Sequence, residues 1–233
     1  NNLGVEYLRA IQAQRLPLQA LAIPRRGAQH HSWEAHGGFA SATQIRRLLR
    51  SGARETATEL MPPGSLNTLG EPASLVPVER AILARLRTMT VEQFAALPDS
   101  GAAAGLPARL FRAARQAAGL EEFYALAKTK SCSHARLRRL AVSAFLGLTE
   151  AERPPAPLYI RVLGFRQKGQ RLLRRMKTAA SLPIITKPAH VKRLSPQAQA
   201  LFALEARASD LYALCAPVPS PCGSDWTHTP VQC

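Results

Sequence analysis

Between residues 78 and 148 apolar residues return every three or four positions in short runs, and Pro or Gly cuts the runs apart. VERAILARLRTM (78–89), VEQFAAL (91–97), ARLFRAARQAA (108–118) and EEFYALA (121–127) each carry such a stripe. A helical period interrupted this often predicts a packed set of short helices, with the Leu, Ala and Phe residues of 78–127 as their core. Thr90 followed by Gln93 fits a capping box. Ser133 suits the N-cap of a further helix through HARLRRLAVSAFLGL (134–148). At 233 residues the chain is long enough to bury a sizeable core, in one or two domains.

The flanking segments read differently. Leu3, Tyr7, Leu8 and Ile11 recur at helical spacing and predict a helix over 3–14. LQALAI (18–23) lies between Pro17 and Pro24 and is predicted as a buried strand. The polar loop PRRGAQHHSWEAHGG follows, and then GGFASATQIRRLLRSG (37–52), where Ile45, Leu48 and Leu49 form an apolar stripe and Gly52 suits a helix end. Strand, loop and helix in that order make half of an α/β nucleotide-binding layout. After Pro62-Pro63 the character turns helical. LYIRVLGF (158–165) and PIIT (183–186) are predicted strands on either side of the basic helix KGQRLLRRMKTA (168–179). Ser195-Pro196 opens a last helix to about Leu214, and the tail from Cys215, with four prolines, is expected to pack poorly.

Charge narrows the choice of partner. Lys and Arg number 31 against 15 Asp and Glu, a formal +16, with pI ≈ 11.0. Such a balance attracts polyanions, nucleic acid before anionic lipid. An Arg- and Ala-rich composition also arises from a GC-rich genome, but the arginines here cluster. Lys128, Lys130, Arg136, Arg138 and Arg139 gather at one helix entrance, and Arg136 and Arg139 share a face at i, i+3. Lys168, Arg171, Arg174, Arg175 and Lys177 form a second group. Both are candidates to grip RNA phosphates, the alternative being solvated helix faces. Trp33, Phe39 and Trp226 are candidates for base stacking or for ordinary packing. No apolar run approaches the roughly 20 residues of a membrane helix. The cysteines, Cys132, Cys215, Cys222 and Cys233, form no CxxC pair, no zinc pattern and no disulfide framework, so the default compartment is the reducing cytoplasm.

The stretch 37–52 raises a sharper possibility. A helix N-terminus presents unpaired N–H groups and the positive end of the helix dipole, and so binds anions. Gly37 and Gly38 would let backbone approach a ligand, Ser41 and Thr43 add hydroxyls, and Arg46 adds a charge one turn in. Ser41 serves equally well as a plain helix cap. His30 and His31 are either participants in acyl transfer or nucleotide positioning, or exposed loop residues.

Six segments, in order, carry a family resemblance. ASATQIR (40–46) resembles the Ser-Ser-Thr-x-x-Arg phosphate signature near the C-terminal end of the nucleotidyltransferase superfamily fold. NNLGVEYLRA, PRRGAQHHS, AKTKSCSHARLRRL, LYIRVLGFRQKGQRLL and LEARASDLYAL are similar to successive motifs of the tRNA(Met) cytidine acetate ligase family. The resemblance implies the α/β end of a Rossmann-like nucleotidyltransferase domain over 1–61, a mostly α-helical basic tRNA-binding domain over 62–214, and the Pro-rich tail 215–233. It implies ATP, with Mg2+, as cofactor. Acetate would be activated as acetyl-adenylate with release of pyrophosphate, and the acetyl group transferred to N4 of the wobble cytidine of elongator tRNA(Met). Asn1 or Asn2, and Arg25 with Arg26, then map to ATP contacts, beside Ser41, Thr43 and Arg46, which suit the departing pyrophosphate. The sequence departs from the family at His30, where a tyrosine is usual, and at Ser131-Cys132-Ser133, where Arg-Tyr-Thr is usual. The family's His-x-Gly-His-type turn would lie upstream of Asn1, so the chain is expected to be a C-terminal portion that adenylates nothing alone. Two other readings stay open, a general nucleotidyltransferase acting on a small molecule and a non-catalytic RNA-binding module. Nothing in the sequence sets an oligomeric state.

Overall fold

The computed structural model describes residues 2–24, 26–30, 32–68, 73–101 and 105–232. It divides into two compact units, Asn1–Pro72 and Ala73–Cys233. Among the described residues no helix is long and apolar enough to cross a membrane.

The first unit holds α1 (Asn2–Ala13), α2 (Ala42–Arg50), α3 (Arg54–Glu59) and a short 3-10 turn, Ser65–Thr68. Helix α1 forms where expected, yet buries none of its residues, and Leu3, Val5, Tyr7 and Leu8 are all exposed. The predicted strand over 18–23 does not form. The segment is unpaired, with Leu21 87% and Ile23 85% exposed. A strand's N–H and C=O groups point sideways and need a neighbour, and among the described residues no strand of this unit lies beside it. Its apolar pattern marks material suited to a sheet, and a sheet is a property of several segments together.

The second unit is built on α4 (Glu79–Thr88), α5 (Val91–Ala95), α6 (Leu106–Gln116), α7 (Leu120–Ala127) and α8 (His134–Leu146). Each buries one stripe. Leu137, Leu140, Ala141 and Ala144 on α8 face Ile82, Leu83 and Leu86 of α4 in a single core with Phe94, Leu110, Phe123 and Tyr124. The alanines of α6 and α8 let backbones approach closely, while Phe94 and Phe123 fill the space between. Local signals set the ends. Thr90 and Gln93 close a full capping box, Ser133 Oγ accepts the N–H of Arg136, and Gly147, at φ 67°, ends α8 in the left-handed region. Helix α7 starts at Gly119, which offers no side chain. Glu79 supplies the missing acceptor from α4, taking the Leu120 N–H at 2.7 Å.

The rest of the unit is a crossover. Strand β1 (Ile160–Arg161) runs parallel to β3 (Ile184–Ile185) with α9 (Gly169–Ala179) between them, and α10 (Pro196–Ala213) follows. Tyr159, Ile185, Val191, Ala198 and Phe202 form a second core. The tail beyond Cys215 buries none of its described residues, in line with its prolines, yet it carries two short ordered elements. It forms α11 (Ser224–Thr227) and β4 (Val231–Gln232), which pairs in parallel with β2 (Gly164–Phe165). Trp226 meets Phe202 edge-on at 4.8 Å, and Cys215 is buried against the helical core. Prolines forbid helix and inner strand along much of the tail, and the residues between them stay largely exposed, Val218 at 81%, so the tail is held at a few points and not buried along its length.

Phe94 is fully buried and Leu21 almost fully exposed. Phe94→Ala should therefore lower the stability of the helical unit by roughly 3–5 kcal/mol, and Leu21→Ala should change it by less than about 0.5 kcal/mol. Urea titrations of the two variants check this.

Candidate functional site

The mouth of α2 is assembled by the preceding loop. His36 and Phe39 pair as a tight antiparallel bridge, turned by Gly37 (φ 58°) and Gly38 (φ 78°), both with open space where a side chain would be. Gly27, at φ 79°, lies so close to Phe39 that a Cβ would fall 2.5 Å from that residue's Cβ, so only glycine fits. Ser41 is buried. Its Oγ accepts the Gln44 N–H at 3.1 Å and donates to the Ser32 carbonyl at 2.6 Å. That hydroxyl is thus occupied as a cap that also ties the loop to the helix. Arg46 is exposed, one turn in, and Thr43 is half-buried. Arg26 is exposed beside Gly27, and His30 is exposed on the same loop. Asn2 is exposed at the start of α1 and takes part in none of these contacts. Asn1, Arg25 and His31 lie outside the described residues.

Two features of this mouth had no sequence signal strong enough to find them. Gln44 is buried with its Oε1 unpartnered among the described residues, an acceptor suited to an N–H donor and not to a phosphate. Arg47 donates to the Trp33 carbonyl at 3.4 Å and lies over the Trp33 ring at 5.3 Å. Trp33 is 61% exposed under that guanidinium, and Phe39 is exposed against Gly27.

The first basic cluster is engaged within the fold. Asp99 is a non-glycine residue at φ 61°. Arg136 donates to its carbonyl through Nε and Nη2 at 2.8 and 2.6 Å, and to the Ser100 carbonyl at 3.3 Å. Arg139 pairs with the Asp99 carboxylate at 3.2 Å, and Arg138 with Glu121. Arg136 therefore serves as a clamp on the 99–100 turn, whereas Lys128 and Lys130 are exposed. The second cluster differs. Lys168, Arg171, Arg174, Arg175 and Lys177 are all exposed, α9 buries none of its residues, and none of these five makes an ion pair among the described residues.

The family model described as HIGH Nucleotidyl Transferase matches residues 1–224. The chain belongs to the HIGH nucleotidyl transferase family. Its homologues include the tRNA(Met) cytidine acetate ligases. That of Kosmotoga olearia is 34% identical over 92% of this chain and 55% of its own length, and that of Listeria monocytogenes serovar 1/2a is 33% identical over 92% and 53%. The apo crystal structure of Thermotoga maritima TmcAL is similar at TM-score 0.85, with 26% identity, over 99% of this chain and 59% of that one. The crystal structure of Thermotoga maritima TmcAL bound with alpha-thio ATP is similar at TM-score 0.74, over 84% and 53%. The chain spans about half the length of the relatives it matches.

As a HIGH nucleotidyl transferase, then, the chain carries the α-rich form of the fold, and the parallel strands of its second unit are fastened by a charged network. Arg161 of β1 donates to Asp225 of α11 at 2.5 Å, and the same carboxylate accepts from Ser209 of α10. Burial pushes the Asp225 carboxyl up, but these hydrogen bonds and the Arg161 charge outweigh it and hold it below the ordinary value. Stability from such a group is present above its unfolded-state pKa and is lost as pH falls through the lower folded-state value. The unfolding free energy of this unit should thus decline on the acid side of the usual carboxylate range. Asp225→Asn should lack that step and be less stable at neutral pH, by roughly 1.5–3 kcal/mol for one charged hydrogen bond. Urea titrations across pH check both statements.

Arg136→Ala should cost roughly 1–3 kcal/mol, because it leaves two carbonyls of a strained turn without donors. Calorimetry on the variant separates this loss from any effect on RNA.

Proposed function

We propose that the protein works as a tRNA-modifying enzyme that activates acetate with ATP, forming acetyl-adenylate and pyrophosphate, and then acetylates N4 of the wobble cytidine of elongator tRNA(Met). The observation that carries this reading is the similarity to a TmcAL crystal structure bound with alpha-thio ATP at TM-score 0.74, alongside relatives named tRNA(Met) cytidine acetate ligase over 92% of the chain. Residues 1–61 would serve the nucleotide, with Mg2+ arriving on its phosphates, and 62–214 would serve the tRNA, in the cytoplasm.

The helix mouth suits cleavage between the α and β phosphates, where negative charge builds on the leaving group. The N–H groups at the start of α2 and the guanidinium of Arg46 would neutralise it. Ser41 would act indirectly, holding those N–H groups in place through its bonds to Gln44 and Ser32. Asn1 or Asn2, Arg25 and Arg26 would meet the rest of the nucleotide, with Thr43 beside the phosphates. His31 remains a candidate for positioning the acyl group.

Arg46→Ala should lower kcat/KM for ATP by about one to two decades, the worth of a charge-assisted hydrogen bond, while leaving the fold intact. Acetate-dependent ATP–pyrophosphate exchange measures the first half-reaction without tRNA, and transfer of labelled acetate to tRNA measures the second. Exchange that ignores acetate would point to a general nucleotidyltransferase. RNA binding with no exchange at all would point to a non-catalytic RNA-binding module, whose α2 mouth is capped and nothing more.

A further inference from the structure

The tail of the second unit is pinned at two places. Upstream, Asp225 is held by Arg161 and Ser209, and Trp226 by Phe202. Downstream, the Val231 N–H donates to the Leu163 carbonyl at 3.0 Å, and β4 pairs with β2. Gly164 makes the close approach possible, since a Cβ there would sit 3.2 Å from the Val231 carbonyl. The residues between the pins, 228–230, are drawn across the exits of β1 and β3.

The tail forms one wall of an open cleft of about 410 Å3, whose other walls are α9 and the turn after β3. Its polar lining is Gln170, Arg174, Lys177, Thr186, Lys187 and Thr229, with no carboxylate among the lining residues. None of the three cations makes an ion pair among the described residues. His190 lies alongside. Partial burial, then the charges of Lys177, Arg193 and Lys187, hold its pKa below the ordinary value. Its Nδ1 takes the Thr186 N–H, at 3.4 Å. Three positive charges brought together in a concavity repel one another unless an anion enters.

We propose that this cleft is a phosphate-binding site, with Lys177, Lys187 and Arg174 supplying charge and the hydroxyls of Thr186 and Thr229 supplying further donors. A phosphate oxygen cluster fits that set better than a carboxylate does, because it presents more acceptors to cations arriving from three directions. Thr229 lies beyond the residues 1–224 that the family model matches. The site rests on the RNA-binding reading when its occupant is a backbone phosphate of tRNA. The same chemistry would also hold a small phosphate-bearing molecule.

The test is lysine-resolved labelling with an amine-reactive acetylating reagent, read by mass spectrometry, on the protein alone, with inorganic phosphate and with tRNA. It is paired with salt titrations of tRNA binding for the wild type, Thr229→Val and the double variant Lys177→Gln, Lys187→Gln. Slowed labelling of Lys177 and Lys187 by tRNA, with a salt slope reduced by roughly 1.4–1.8 in the double variant, supports the site with RNA as occupant. Thr229→Val, which changes no charge, should then weaken binding at an unchanged slope. Slowed labelling by inorganic phosphate with no effect of tRNA supports the same site for a small ligand and overturns tRNA as its occupant. Steep salt-dependent tRNA binding with both lysines labelled, under either probe, as fast as in the free protein overturns the site and leaves the RNA reading standing. Labelling unaffected by either probe, with unchanged slopes, overturns it outright.

Discussion

Short helices have a structural problem at their ends, and arginine is how this chain solves it. Each α-helix leaves its last carbonyls without intrahelical donors, so a bundle of helices 5 to 13 residues long carries many such groups for its size. Arg87 of α4 donates to the Ala117 carbonyl that ends α6, at 2.7 Å. Arg85, on the same helix, adds a second donor at 3.3 Å to the Ala144 carbonyl in the last turn of α8, which also accepts the Gly147 N–H. Arg136 of α8 in turn takes the carbonyls of the turn after α5. Glu79 does the complementary work at the start of α7. These contacts join elements distant in sequence and fix the order of packing in a way that interchangeable apolar stripes would not. A guanidinium suits the task because its donors spread in a fixed plane and its charge does not titrate away.

The surplus of positive charge therefore has two parts. One part is internal, and its arginines would stay where they are whatever the protein binds. The other part includes the exposed cations of α9 and the turn after β3, which make no ion pair among the described residues. Counting Lys and Arg in sequence windows mixes the two, which is why 128–139 and 168–177 looked alike in the sequence and differ in the structure. Spacing at i, i+3 does place Arg136 and Arg139 on one face. It carries no trace of Asp99, 37 residues away, which that face meets.

The same division explains which elements the sequence declared. The helices of the second unit came out within a few residues of their predicted spans because their period, breakers and caps are all local. Ser133, Thr90 with Gln93, and Ser195 with Pro196 each act within four residues. The segment 18–23 failed for the opposite reason, since its strand character depends on neighbours that no local pattern contains. The two anchor points of the tail were hidden in the same way. Its proline content speaks about φ angles, whereas its packing is decided by Asp225 finding Arg161 and Ser209, and Val231 finding Leu163. Of the proposed nucleotide site, the loop-and-helix frame was visible in GGFASATQIRRLLRSG, and the family's motifs were visible in order. The burial of Gln44 and the stacking of Arg47 on Trp33 were not.

The question raised by that stretch has a more exact form once Ser41 is seen. A serine whose hydroxyl already accepts one N–H and donates to one carbonyl has little capacity left for an anion. What it does is fix the first turn of α2 and hold the 32–39 loop against it, so that the remaining N–H groups keep their direction without a ligand. For a reaction that develops charge on a leaving group, donors that are already aimed need no reorganisation as the charge appears. A cap and an anion site are then not rival descriptions of the residue. On the proposed reading the cap would be the part that makes the helix dipole and Arg46 usable, and the selectivity of the mouth would come from the groups around it: the open glycine turn at Gly37-Gly38, the exposed guanidinium one turn in, and a buried amide oxygen that favours a donor over a phosphate.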